Sequence, residues 1–150
     1  MIILACGLRF GVGESYVDNW SAGGVAGGVD IPTGRLRKYA YDQKGKRYTQ
    51  DPSSGLTFEG FQIPEWLAML DAARTAQREL PFSKMLGLDI CLDHEAKPAL
   101  IEINGLPDFV FVEQLNGPLL ANPQILKAFA EYDLLFSNAQ RKLLLAAGTR

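Results

Sequence analysis

Two stretches near the middle of the chain place the strongest constraint on its fold. Met85–Leu92 and Ala99–Asn104 alternate in character from residue to residue, and the polar run Asp93–Lys97 separates them. Successive side chains of a strand point to opposite faces of the sheet. The pattern predicts a β-hairpin in which each strand has one apolar face and one face that carries acidic or amide oxygens.

Pairing across this hairpin is predicted to bring two carboxylates together. A symmetric hairpin centred between Glu95 and Ala96 places Asp89 opposite Glu102 and Gly87 opposite Asn104. Directly opposed residues have Cβ atoms about 4.5–5.5 Å apart, so the two acidic side chains repel each other unless a cation offsets their charge. Gly87 is expected to leave open space beside Asn104.

The oxygen-bearing side chains of this face match the needs of a hard dication. Mg²⁺ binds oxygen ligands, typically one or two carboxylates together with water and phosphate oxygens. Asp89, Glu102 and Asn104 are therefore candidate metal ligands. A solvated strand face, on which the same residues only contact water, is the other interpretation, and the pattern alone does not decide between the two.

The rest of the chain predicts strands first, then a helix, the hairpin and a second helix. This order is typical of an α+β fold, with an antiparallel sheet and packed helices. Trp66, Leu67 and Leu70 are predicted to lie on the buried stripe of the first helix. The predicted elements are β structure over Ile2–Phe10, Gly23–Ile31 and Leu36–Asp42, a helix that Pro64 opens and Pro81 closes, a long loop over Gly105–Leu120, and a helix of roughly twenty residues that Asn122 caps.

Composition limits the compartment and the partners. A length of 150 residues is usual for one domain, and the net charge of −2 gives no electrostatic case for binding nucleic acid or an anionic membrane surface. Cys6 and Cys91 are the two cysteines, and they form no CxxC pair. This usage predicts neither a zinc site nor a disulfide scaffold and fits the reducing cytoplasm.

Several stretches, in order between residues 8 and 135, give the chain a family resemblance. The chain resembles the ATP-grasp enzymes, and within them the sugar-transfer-associated group. The matching stretches are Leu8–Gly11, Val17–Asn19, Gly23-Gly24, Val29–Leu36, Asp51–Gly55, Ile63–Trp66, Gly87–Ile90 and Leu100–Asn104. The family tends to have His at the position of Asp51, and a Gly is common in it where Pro107-Asp108-Phe109 follows the last of these stretches.

The resemblance implies an ATP- and Mg²⁺-dependent (or Mn²⁺-dependent) ligase fold. In such enzymes a small-molecule carboxylate is activated as an acylphosphate, which an amine or similar nucleophile then attacks; polysaccharide or sugar-transfer chemistry is the implied context. The implied metal ligands are Asp89, Glu102 and Asn104, with Glu102 bridging two ions. The implied phosphate- or acceptor-binding loop holds Asn19, Gly23 and Gly24.

The resemblance also implies that residues 1–150 correspond to the C-terminal part of an ATP-grasp domain. ATP in this family lies between two α+β subdomains, and the N-terminal subdomains have no counterpart in the sequence. We therefore expect the chain to need that part for ligation. We also expect an apolar patch where it would pack, and a possible homodimer.

Arg9 lies within an apolar strand, so it is expected to have an anionic partner. Its forked guanidinium suits a phosphate or acylphosphate, which makes Arg9 a candidate catalytic residue, but a salt bridge to Asp18 or Asp30 would satisfy it equally well. Gly23-Gly24 could form a backbone nest for anions or an ordinary loop. Gly27-Gly28 is predicted to form a bulge or a close backbone approach.

Two other functions fit the acidic hairpin. A carbohydrate hydrolase could use Asp89 and Glu102 as its catalytic pair, since retaining glycosidases hold two carboxyl groups about 5–5.5 Å apart. A non-catalytic module could keep the fold for nucleotide or metal binding alone. Metal dependence separates the hydrolase from the ligase, and nucleotide turnover separates the ligase from the module.

Overall fold

The computed structural model describes residues 1–11 and 23–134, and within them it contains two antiparallel sheets and three α-helices. The first sheet has the order β1-β2-β3-β4, and β5 and β6 form a separate hairpin. The α+β prediction is confirmed. The strands are β1 Gly7–Phe10, β2 Val25–Asp30, β3 Arg35–Tyr41, β4 Arg47–Tyr48, β5 Gly87–Leu92 and β6 Pro98–Asn104, and the helices are α1 Trp66–Glu79, α2 Phe109–Asn116 and α3 Pro123–Glu131.

Two hydrophobic clusters hold these elements together. The larger one lies against the four-stranded sheet, where the rings of Phe10 and Phe58 pack with centroids 5.0 Å apart. The smaller one joins α2 and the segment after it to α3, and Phe109 of α2 meets Phe129 of α3 edge-on at 6.0 Å. The buried members of the larger cluster are Val25, Val29, Leu36, Ala40, Phe58 and Ile63, and those of the smaller are Leu119, Ile125 and Phe129.

A tryptophan fixes the start of α1 against the turn between β2 and β3. Trp66 donates its indole N–H to the carbonyl of Ile31 at 2.9 Å. Its ring lies directly against Gly34, where an added Cβ would stand 2.3 Å from Trp66 Cγ. Gly34 also has a φ of 69°, a conformation that side chains disfavour. The turn thus requires glycine both for its backbone and for the space that Trp66 occupies.

The end of α2 lies on a flat patch of the first sheet that two glycines create. Gly7 and Gly28 are direct partners in the β1–β2 pair. A Cβ at Gly28 would come within 2.4 Å of the Leu115 carbonyl oxygen, and one at Gly7 within 2.6 Å of Leu115 Cδ1. The β2–β3 register also shifts between Gly27 and Val29. Both the bulge and the close approach predicted for Gly27-Gly28 are confirmed.

The predicted long loop over Gly105–Leu120 is wrong, because α2 lies inside it. Asp108 caps this helix, accepting hydrogen bonds from the amides of Val110 at 2.9 Å and Phe111 at 3.2 Å. An acidic N-cap before an apolar run is a recognisable start signal. The prolines and glycines on either side of that run had favoured a loop.

The final helix is shorter than predicted. Asn122 caps it as expected, accepting from the amide of Gln124, but α3 ends at Glu131. Asp133 has a φ of 59°, which stops the helical path two residues later. The predicted fraying beyond Ala146 falls outside the described residues.

Two other predictions need correction, namely the start of β1 and the burial of Leu67. β1 begins at Gly7 rather than Ile2, although the Cys6 carbonyl still accepts from the Val29 amide at 3.0 Å. In α1, Leu70 is buried as predicted, but the Leu67 side chain is 76% exposed. No helix among the described residues is long and apolar enough to cross a membrane.

The Trp66 contact predicts how the turn responds to a side chain. Gly34→Ala should lower the free energy of unfolding by about 2–4 kcal/mol, because it adds a left-handed backbone penalty and a clash with Trp66. Gly55→Ala is the matched control, since Gly55 has a φ of 72° but nothing within 4 Å of its Cβ position. It should cost only about 1 kcal/mol. Equal losses in urea denaturation would show that the Trp66 contact contributes nothing.

Candidate metal and phosphate site

The hairpin pairs Asp89 with Glu102 and Gly87 with Asn104, as the sequence predicted. The residues next to the turn, however, do not pair as they would in a symmetric hairpin. Next to the turn, Ile90 pairs with Leu100, and the register shifts between Asp89 and Ile90. One extra residue on β6 therefore forms a bulge. Without it, Asp89 would face a different residue of β6 and the two carboxylates would not be opposed.

The hairpin turn explains why this bulge is needed. Asp93 closes a five-residue connection, and its Oδ1 accepts from the amides of Glu95 and Lys97 at 2.9 Å each. Lys97 also forms a salt bridge with Glu95. The turn is thus centred on Glu95, which would offset the pairing of Asp89 and Glu102 by one residue. The bulge restores it.

Arg9 reaches from the first sheet to the acidic face of the hairpin. Its Nη2 donates to Asp89 Oδ1 at 3.2 Å, with the two side chains 36% and 40% exposed. The guanidinium carbon also lies 5.5 Å from the ring centroid of Phe111 on α2. A half-exposed ion pair of this kind contributes at most about 1 kcal/mol. It nevertheless places a cation beside one member of the opposed carboxylate pair.

Among the described residues, Arg9 pairs with Asp89 and not with Asp30, one of the two partners that the sequence suggested. Asp30 instead accepts from the Thr33 hydroxyl at 2.5 Å and the Thr33 amide at 3.3 Å, while Asp18 lies outside the described residues. The sequence also gave no sign that Phe111 would contact Arg9. Only the docking of α2 on the sheet brings that ring over the guanidinium.

Asn104 lies on the same face as the carboxylates but is already partly engaged. Its Oδ1 accepts from the Leu106 amide at 2.9 Å, which leaves a second lone pair for another partner. The predicted open space beside Gly87 is filled, because a Cβ there would lie 3.0 Å from Pro107 Cβ. Pro107 therefore packs against Gly87, and the segment after β6 folds back over that end of the hairpin.

The donor chemistry of this face fits a hard dication. Register places Asp89, Glu102 and Asn104 on one side of the hairpin. The described residues contain no group of three or more His, Cys, Asp or Glu that could hold a metal by themselves. With a dication on the two carboxylates, the Asn104 amide would be the third protein oxygen, and positions would remain for water and phosphate oxygens, as Mg²⁺ requires.

The glycine loop lies at the same end of the first sheet as Arg9. Gly24 immediately precedes Val25, which pairs with Phe10. Gly23 is exposed, with a φ of 101° and nothing within 4 Å of its Cβ position, whereas Gly24 is buried. Asn19, the third member of the predicted loop, lies outside the described residues. Gly23 and Gly24 therefore lead into the end of β2 that pairs with Arg9 and Phe10 of β1.

The described cavities lie elsewhere. One of about 230 Å³ opens beside the other end of β2, near Val29–Pro32 and Leu119. A second, of about 240 Å³, lies between Phe109 and Phe129. Neither of these two cavities is lined by Arg9 or the hairpin carboxylates.

Two further residues have local roles. Asp51 is buried, and its Oδ2 accepts from the Ser54 amide at 2.9 Å and the Ser54 hydroxyl at 2.6 Å. It closes its own turn. Burial raises the pKa of the Cys6 thiol to about 11, so this cysteine stays protonated and unreactive near neutral pH.

Antiparallel sheets, packed helices and an acidic hairpin are consistent with an ATP-grasp type of protein. The family model described as sugar-transfer associated ATP-grasp matches residues 1–129. The chain belongs to this family of ATP-dependent, nucleotide-binding proteins. No curated protein and no solved structure matches the chain.

Repulsion between the opposed carboxylates should lower the free energy of unfolding of the metal-free protein by a measurable amount. Glu102→Gln should raise the free energy of unfolding by about 0.5 kcal/mol, because like charges directly opposite on a hairpin destabilise it. The gain should shrink in high salt, which screens exposed charges. Glu59→Gln removes an exposed carboxylate elsewhere on the surface and should change little. Equal behaviour of the two variants in metal-free urea titrations would argue against the repulsion.

Proposed function

We propose that the acidic face of the hairpin binds Mg²⁺ together with the phosphates of ATP. The observation that carries the proposal is the opposition of Asp89 and Glu102 across a bulged hairpin, with the Asn104 amide on the same face. Holding two carboxylates face to face is unfavourable without a cation. A dication converts this repulsion into binding energy, and the family match supports a nucleotide as the source of the remaining oxygens.

We further propose that the reaction is the activation of a small-molecule carboxylate as an acylphosphate, followed by attack of an amine or similar nucleophile. When bound, Mg²⁺ would supply neutralisation of charge on the transferring phosphoryl group. Asp89, Glu102 and Asn104 would hold the ion. Arg9 would contact the phosphoryl or acylphosphate oxygens, which its forked guanidinium matches.

The setting of this reaction is also a proposal. The family description supports a sugar-transfer context, such as polysaccharide biosynthesis. The two cysteines are free thiols, which fits a cytoplasmic location.

An exposed apolar surface is available for partners. Ile101 and Leu106 on and after β6 are 68% and 87% exposed. We assign this surface to a further ATP-grasp subdomain, with a homodimer as the other arrangement that a sedimentation experiment could reveal.

Metal binding is directly testable through stability. Adding millimolar Mg²⁺ or Mn²⁺ should raise the melting temperature of the wild-type chain, because a ligand that binds only the native state stabilises it by mass action. Glu102→Gln should abolish the shift, whereas Glu59→Gln should keep it. A shift of the same size in all three proteins would place the metal elsewhere.

Turnover tests the reaction class. In the complete enzyme, Glu102→Gln should cut Mg²⁺-dependent ADP release with carboxylate and amine substrates by at least about 100-fold, since phosphoryl transfer depends on charge neutralisation. Glu59→Gln should retain normal turnover. Near-normal rates in Glu102→Gln would refute the assignment of the site.

Two outcomes would support the other candidate functions. Hydrolysis of carbohydrate that survives complete chelation would identify Asp89 and Glu102 as a glycosidase pair. Binding of Mg²⁺–ATP without any turnover, with the complete protein present, would identify a non-catalytic module.

A further inference from the structure

We propose that Arg9 and a bound dication compete for Asp89, so that metal binding releases Arg9 to hold an anionic oxygen of the substrate. This inference rests on the metal site proposed above and assigns Arg9 an anion-binding role there. It goes beyond a simple phosphate contact, because it makes the availability of Arg9 depend on the metal.

Arg9 and Asp89 form a close, partly shielded ion pair. Arg9 Nη2 lies 3.2 Å from Asp89 Oδ1, and both side chains are more than half shielded from water. A dication bound to the same carboxylate would stand close to the guanidinium, and two cations repel at this separation. Partial burial weakens the screening by solvent, so the repulsion is larger than it would be between freely exposed side chains.

Arg9 and a bound dication differ in how strongly each would hold the Asp89 carboxylate. Arg9 makes one hydrogen bond to it, from Nη2, rather than the bidentate pair that guanidinium and carboxylate can form. A dication held by Asp89 and Glu102 together has twice the charge and contacts both carboxylates. The dication should therefore win the competition for Asp89.

The ring of Phe111 can keep the guanidinium of Arg9 near the site after it has left Asp89. Phe111 lies beneath the guanidinium, with its ring centroid 5.5 Å from Cζ. The ring is carried by α2, whose end packs against Gly7 and Gly28 with no room for a Cβ. Phe111 therefore offers a fixed aromatic surface that keeps the charged group near the site instead of letting it move into solvent.

The coupling works in both directions. If the metal weakens the hold of Arg9 on Asp89, then Arg9 weakens the metal by the same factor. An anion that engages Arg9 removes this competition and favours the metal. The site would thus expose its anion-binding guanidinium only when the cation is already in place.

The experiment measures Mn²⁺ affinity without nucleotide, by calorimetry and electron paramagnetic resonance, on the wild-type chain and on Arg9→Gln. Removing the competing charge should tighten Mn²⁺ binding about tenfold, within the usual range of couplings between sites. At saturating Mn²⁺, the same variant should bind inorganic tripolyphosphate more weakly than the wild type. A residue with a merely structural role would not move these two affinities in opposite directions.

Two further variants separate charge from shape. Arg37→Gln removes an identical charge from β3, where no described carboxylate forms a salt bridge with it, and should leave Mn²⁺ affinity unchanged. Phe111→Leu removes the aromatic surface that keeps the guanidinium near the site, so at saturating Mn²⁺ it should weaken the binding of tripolyphosphate. This second measurement also keeps the proposal testable if Arg9→Gln fails to fold.

The outcomes distinguish this inference from the proposed function. Mn²⁺ binding that is lost in Glu102→Gln but unchanged or weaker in Arg9→Gln would overturn the competition and leave the metal site intact. An unchanged tripolyphosphate affinity of Phe111→Leu at saturating Mn²⁺ would likewise count against the release step. No Mn²⁺ binding in the wild-type chain or in any variant would overturn the metal site and this inference together.

Discussion

The ion pair between Arg9 and Asp89 connects two parts of the molecule that share no strand pairing. Arg9 belongs to β1 of the four-stranded sheet and Asp89 to β5 of the separate hairpin. The pair is half exposed and adds little stability by itself. Its importance is positional, because it joins the anion-binding candidate to the metal-binding candidates and so makes one site out of residues 80 positions apart in sequence.

Glycines make this arrangement possible. Gly7 and Gly28 allow α2 to approach the sheet so closely that any Cβ would clash with Leu115. That approach sets where Phe111 lies, and Phe111 in turn lies against Arg9. The absence of side chains at these two paired glycines therefore helps to set the position of Phe111, one helical turn before Leu115, and with it the contact to Arg9. In a closely packed region of this kind, the position of one group limits the positions of its neighbours.

Sequence reasoning succeeded where the relevant contacts are local and failed where they are not. Alternation and turn length were enough to oppose Asp89 and Glu102, because strand pairing in a hairpin follows from its own residues. The bulge beside Ile90 was missed, since a symmetric turn and a five-residue turn with a bulge give the same pairing at Asp89. The partner of Arg9 could not be predicted, because it comes from a strand that is distant in the chain.

The sequence by itself therefore determined the α+β class, the glycine-dependent contacts at Gly27-Gly28 and the chemistry of the acidic face. These follow from side-chain periodicity, backbone freedom and the ligand preference of hard cations, which are properties of short segments. Tertiary structure alone decided that Arg9 holds Asp89, that Pro107 fills the space beside Gly87, and that α2 carries Phe111 to the site. Such contacts join residues through space, and the physical balance of packing and charge that selects them exists only once the chain has folded.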